Sequence, residues 1–229
     1  MRRLAERSPA LTSQYVPPGA LWSSEKESQT WLEQYLEWFP EIHTLDQLRM
    51  VDVFGSNARC DLGLQLYKDG EPVLFSVELK HEIHRSTNAA DAYAQAFHYQ
   101  EMCLVRDTRI HEPSLVGKSP TLSFAGIFVA ESDTMTNRAA DHHAQRRLGM
   151  EVLANKLRVG SVRYYPWRGT VEFWFGENAI LRLSAGGGSP PKLTWGPQAH
   201  NYISSSVKRN GSRRGRETIA ERAELGLFI

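Results

Sequence analysis

Cysteine is scarce in this chain: Cys60 and Cys103 are the only two in 229 residues. Both stand in apolar surroundings, which argues against a disulfide framework and for buried, reduced thiols. Long apolar runs are missing as well, since stretches such as LSFAGIFVA stop far short of the roughly 20 residues a membrane-spanning helix needs. The N-terminal MRRLAERSPALTSQY carries arginines with no continuous apolar region behind them, so no signal peptide is expected and the cytoplasm is the expected compartment. No Gly-x-Ser-x-Gly elbow occurs, which removes the commonest serine hydrolase signature. His81, His84, His98, His142 and His143 lack both a cysteine pairing and HExxH spacing, so they make a poor case for zinc. Gly117-Lys118-Ser119 ends like a phosphate loop, yet Glu112 occupies the first glycine position and Pro120 blocks the helix that should follow.

What is present is an ordinary globular composition, 41% hydrophobic and 23% charged, sufficient for one domain with a sizeable core. Net charge is +1 but unevenly spread: residues 186–229 hold seven Lys or Arg against three acids, leaving −3 on the rest. A mildly acidic body with a basic tail suits a metal site joined to something that attracts polyanions. Three divisions are expected. Residues 1–20, with Pro9, Pro17, Pro18 and Gly19, read as an N-terminal arm, residues 21–185 as the core domain, and 186–229, opening on the linker-like GGGSPP, as a flexible basic tail.

Within the core, SSEKESQTWLEQYLEWF starts as a helix should, with Ser before acids, and carries an apolar stripe of Trp31, Leu32, Tyr35, Leu36 and Phe39 until Pro40. Strands are expected at 48–54, 59–67 and 72–80, the last two joined through Asp69-Gly70, a strong hairpin signal. Alanine-rich 88–105 reads as a helix, 122–130 as a strand buried on both faces, and 138–157 as another helix. SVRYYPW and VEFWF form an aromatic hairpin whose rings suit core packing better than base stacking. The order helix, three strands, helix, strand, helix, strands argues for a mixed α/β sheet flanked by helices.

Strand side chains alternate faces, so Glu78 and Lys80 share one face while Val77 and Leu79 share the other. The same count separates Asp61, Gly63 and Gln65 from Cys60, Leu62 and Leu64. If the hairpin forms, two carboxylates and an ammonium converge. Like charges about 4 Å apart repel by roughly 4 kcal/mol at an effective dielectric near 20, so such a face calls for a cation. Asp52 is the decoy acid on the preceding strand. On the next helix Gln95 and Tyr99 are four residues apart, hence on one side, with Asp91 a turn earlier.

Asp61, sixteen residues, Glu78-Leu79-Lys80, fourteen residues, then Gln95-Ala-Phe-His-Tyr99 resembles the active-site pattern of the PD-(D/E)xK nuclease superfamily, in the branch whose helix carries Gln-x-x-x-Tyr. The resemblance covers roughly residues 23–130. Cys60 stands where the name-giving proline would be, a position held loosely across that superfamily. It implies a restriction-endonuclease-like α/β fold with an αβββαβ core, and Mg²⁺- or Mn²⁺-dependent hydrolysis of DNA phosphodiesters.

The resemblance also implies roles. Asp61, Glu78 and the Leu79 backbone carbonyl would bind metal, joined by Glu25, with Glu27 and Glu33 as rivals. Lys80 would orient water or stabilise developing charge, with its pKa depressed by nearby cations. Gln95 would position Lys80, the water or a phosphate oxygen, and Tyr99 would support the same face. His81 and His84, next to Lys80, and the tail's Lys208, Arg209, Arg213, Arg214 and Arg216 would contact nucleic acid. The alternatives are a dimeric junction-resolving endonuclease, and a non-catalytic nucleic-acid-binding or assembly protein that keeps the fold. A homo-oligomer or a subunit of a larger nucleoprotein machine also fits, and no membrane association is expected.

Overall fold

The computed structural model describes residues 21–52, 54–80, 86–129, 156–186 and 189–211, and of residues 86–89, 128, 129 and 207–211 the backbone alone. The expected N-terminal arm, His81, His84, nearly all of the 138–157 helix, Arg213, Arg214 and Arg216 lie outside them.

The first helix, α1 (Glu25–Leu36), begins where its sequence predicts: the Ser24 hydroxyl accepts from the Glu27 amide while the Glu27 carboxylate takes the Ser23 amide and hydroxyl. That reciprocal exchange satisfies amides no helical carbonyl can reach. The stripe of Trp31, Leu32, Tyr35 and Leu36 is buried, and the Tyr35 hydroxyl lies 2.8 Å from the carbonyls of both Gly169 and Leu183.

Nine strands follow as one mixed sheet: β1 (His43–Val51), β2 (Asn57–Lys68), β3 (Glu71–Glu78), β4 (Cys103–Leu104), β5 (Leu122–Val129), β6 (Val159–Tyr165), β7 (Thr170–Phe175), β8 (Asn178–Gly186) and β9 (Ser189–Trp195). Their order across the sheet is β4-β1-β2-β3-β5-β6-β7-β8-β9. Pairings of β3 with β5 and β5 with β6 are parallel, and the others are antiparallel. A parallel pair needs a crossover, and between β3 and β5 it contains α2 (Ser86–Tyr99). Asp69, at φ 54°, and Gly70, at φ 83°, turn the chain between β2 and β3, as the Asp-Gly signal requires. Among the described residues no helix is long and apolar enough to cross a membrane.

The sheet is covered on both faces. One core cluster packs α1 and α3 (Ala199–Gly211) onto Leu62, Leu64, Val77, Phe124, Phe173 and Leu183. Another gathers Leu45, Leu48, Met50, Cys60, Leu74, Tyr99 and Leu104, and a third seats Ala92 and Ala96 of α2 against Ala125 and Val159. The aromatic hairpin serves packing, since Tyr164, Phe173 and Phe175 are all within 1% of full burial.

Three expectations need correction. The alanine-rich helix ends at Tyr99 rather than 105, because Cys103 and Leu104 pair with Val51 and Met50 as β4. The chain does not leave the fold at 186. Leu193 and Trp195 of β9 pair with Leu183 and Leu181, and α3 seats Ala199 and Ile203 in the core. That segment reads as linker because Gly186, Ser189, Pro190 and Pro191 suit an edge strand, where proline loses no ladder bond. Third, the alternation along β1 and β2 breaks. Leu45 shares a cluster with Leu48 and Met50, and Cys60 falls in a different cluster from Leu62 and Leu64. Both slips sit at the level where Gln47, at φ 50°, faces Asp61 across the ladder.

Candidate active site

The β2–β3 register runs from Lys68↔Glu71 to Leu62↔Val77; carried one position further, it brings Asp61 level with Glu78, where β3 ends. Directly opposed like charges destabilise a sheet. Here the Asp61 carboxylate accepts the Leu79 amide through Oδ2 at 2.6 Å, and its other neighbours include the Gln47 side chain. The αL conformation of Gln47 costs a non-glycine residue of order 1–2 kcal/mol, and such strain gathers at functional sites.

Glu78 is 3% exposed and both its oxygens are engaged: Oε1 meets Lys80 Nζ at 2.5 Å, and Oε2 meets the Tyr99 hydroxyl at 2.7 Å. The same hydroxyl stands 3.1 Å from the Arg59 carbonyl, so Tyr99 ties α2 to the β2 backbone and to Glu78 at once. Burial pushes both Asp61 and Glu78 above their ordinary values; the charge of Glu25 adds to this at Asp61, and that of Asp61 adds to it at Glu78. Burial alone would lower Lys80, but the hydrogen bond and charge of Glu78, with Glu25 and Asp61 behind it, hold it above its ordinary value. The protein's own charges thus act opposite to the depression expected from bound cations. Tyr99 is raised, by burial first and then by Glu78, and stays protonated.

From α1, Glu25 is the acid whose charge reaches both Asp61 and Lys80. Glu27 is spent on the Ser23 cap and Glu33 on Gln29. Gln29, one turn beyond Glu25 and buried, donates to Asp46 at 2.5 Å and lies 3.3 Å from the Asp61 carbonyl. It docks the helix onto the kink.

The structure therefore brings Asp61, Glu78, Lys80, Tyr99 and the Leu79 backbone together, with Glu25 alongside. It does not bring in Gln95, which is exposed on α2 one turn before Tyr99 with no hydrogen bond among those described. Lys208 and Arg209 belong to the last turns of α3, whose Ala199 and Ile203 pack with the cluster on α1's face of the sheet. The decoy Asp52 braces a turn, its Oδ1 accepting from the Phe54 and Ser56 amides at 2.8 Å each. Gln47 and Gln29 were missed. The spacing of Gln29, four after Glu25, offered a signal for it, whereas nothing in a Leu-Asp-Gln-Leu sequence announces a left-handed glutamine.

Among the described residues no three of His, Cys, Asp and Glu converge as a metal cage. The donor set at Asp61 and Glu78 is a carboxylate pair, and Mg²⁺ commonly takes one or two carboxylates and keeps several waters. Each carboxylate oxygen retains lone pairs beyond the bonds described, and burial disfavours the ionised pair, so a hard divalent cation fits it. No family model matches this chain, and no match was found among curated proteins or solved structures.

Proposed function

We propose that this protein is a metal-dependent nuclease of restriction-endonuclease-like fold that hydrolyses DNA phosphodiester bonds. The observation that carries the reading is the gathering of Asp61, bonded to the Leu79 N–H, and Glu78, bonded to both Lys80 and Tyr99, at the end of the β2–β3 ladder. Supporting it is the element order, α1, three antiparallel strands, the α2 crossover and parallel β5, which matches the αβββαβ core that the sequence resemblance implies.

Asp61, Glu78 and the Leu79 carbonyl would hold Mg²⁺ or Mn²⁺, which when bound supplies Lewis acidity and an acidified water for attack at phosphorus. Lys80, ionised by its carboxylate neighbours, presents a positive charge where a phosphate oxygen gains negative charge. Tyr99 fixes the Glu78 rotamer, Leu79 N–H and Gln47 fix Asp61, and Glu25 raises the negative potential that draws a cation in. The exposed Gln95 has room to meet a substrate phosphate from α2.

The test is a panel of labelled single-stranded, duplex, circular and branched DNA, with RNA counterparts, incubated with the full chain in Mg²⁺, Mn²⁺ or EDTA. Metal-dependent cleavage of DNA is expected. Absence of cleavage on every substrate would replace this reading with that of a non-catalytic binding protein.

A further inference from the structure

Past Glu78, β3 stops but the β1–β2 hairpin continues, so residues 57–60 of β2 pair with β1 alone. This arm leads directly away from the candidate site. Arg49 and Arg59 are partners in its ladder, hence side by side on one face, and both are exposed. Opposed like charges weaken a sheet unless something of opposite sign lies between or over them. Among the described residues neither forms an ion pair within 4 Å. The charge of Arg49 reaches Asp107, but that carboxylate is already gripped by Arg109, Nη2 to Oδ2 at 2.6 Å.

Arg59 lies two residues before Asp61 on β2, just past the end of the ladder that pairs β2 with β3. Tyr99 bonds the Arg59 carbonyl as well as Glu78, so the arginine's backbone is fixed relative to the carboxylates.

At the arm's tip Phe54 is 90% exposed. A single exposed apolar residue is ordinary on a protein surface, but this one is held out by a braced turn. Asp52 accepts from Phe54 and Ser56 through its side chain, its amide donates to the Ser56 carbonyl at 3.0 Å, and Gly55, at φ 84°, donates back to Asp52 at 3.1 Å. The turn fixes the backbone that carries the ring, and an aromatic face beside a cationic ladder is how unpaired bases are held without regard to sequence.

We propose that the β1–β2 arm seats a single strand of DNA entering or leaving the candidate active site, with Arg49 and Arg59 on the phosphate adjoining the cleaved one and Phe54 stacked on a base beyond it. This rests on the nuclease reading and adds its substrate form: an unpaired strand on one side of the cut.

The test is fluorescence anisotropy of the 229-residue chain, in EDTA so that nothing is cut, with a labelled single-stranded 12-mer and a blunt duplex across a salt series. Arg49→Gln/Arg59→Gln should weaken single-strand binding at least tenfold at low salt and flatten the log–log salt slope by about 0.7, the share of the one phosphate the two arginines neutralise. Arg59→Lys, which keeps the charge, should keep the slope. Phe54→Ala should weaken single-strand binding about tenfold, the loss of one stacked base, with the slope unchanged and duplex binding untouched. The double arginine variant should still cut at saturating DNA in Mg²⁺, with the loss in KM and not in kcat. If wild-type protein binds and cuts DNA while the arginine variant keeps its slope, or Phe54→Ala weakens duplex as much as single strand, the arm proposal falls and the nuclease reading stands. If wild-type protein neither binds nor cuts DNA, both fall.

Discussion

Replacing Asp61 with Asn should stabilise the metal-free protein. Cβ atoms of directly opposed strand residues are about 5 Å apart, and two carboxylates at that separation repel by about 3 kcal/mol at an effective dielectric of 20. Attraction of Asp61 to Lys80 returns most of this, so about 1 kcal/mol remains as net cost. Both acids have folded pKa values above their ordinary 3.8 and 4.5, burial being the largest cause. A carboxyl whose folded pKa is raised holds its proton more tightly in the native state. Its stabilising effect is therefore complete below the unfolded pKa and lost as pH rises through the folded one. At neutral pH the ionised pair is a burden. The side-chain amide of Asp61→Asn would keep the bond from the Leu79 N–H through its carbonyl oxygen while shedding the charge. In calorimetry at pH 7.5 with EDTA, the variant should melt about 2–4 °C higher, the shift that about 1 kcal/mol produces in a chain of this size. The advantage should shrink as pH falls toward the raised carboxyl values and the wild type takes up its proton. Divalent metal should reverse the order, since a ligand at 100 times its Kd adds about 2.7 kcal/mol to the form that binds it. A variant that melts lower than wild type in EDTA, with neither protein responding to metal, would refute the reasoning.

Three further outcomes are expected. Tyr99→Phe strips buried Glu78 of the hydroxyl donor at 2.7 Å, which also lies 3.1 Å from the part-buried Arg59 carbonyl, and should cost about 1–2 kcal/mol in urea unfolding, with slower cleavage; unchanged stability would contradict the anchorage of Glu78. Gln47→Gly should raise stability by about 1 kcal/mol by removing left-handed strain yet lower the cleavage rate, because Asp61 loses a partner; Gln47→Ala should lose activity without that gain. Gly196→Ala would place a Cβ 1.9 Å from the Ala179 carbonyl oxygen, a backbone collision that α3 cannot avoid while docked, so a loss of about 3 kcal/mol or more is expected in thermal melts.

Much of the site was legible because it depends on short-range rules. Asp69-Gly70 fixed which strands pair, period-two counting put Glu78 with Lys80, and helical spacing put Tyr99 over them. Counting failed at Cys60, which leaves the face of Leu62 and Leu64 beside the left-handed Gln47, a tertiary strain that composition does not encode. The same limit applied to Cys103, helical by local propensity but drawn into β4 by the free edge of β1. It applied again to β9, whose prolines and polar residues suit an edge strand as well as a linker. Gln95 lies exposed one turn before buried Tyr99, outside the bonded set, which helical spacing alone does not show.

Single-turnover cleavage of a labelled oligonucleotide bears most directly on the carboxylate pair and its lysine. Wild-type protein should cut in Mg²⁺ or Mn²⁺ and stop in EDTA, while Asp61→Ala, Glu78→Ala and Lys80→Ala, each shown folded by circular dichroism, should lose at least a hundredfold in rate, the scale of a removed charge-stabilising group. Cleavage that persists in EDTA, or survives all three substitutions, would contradict the account.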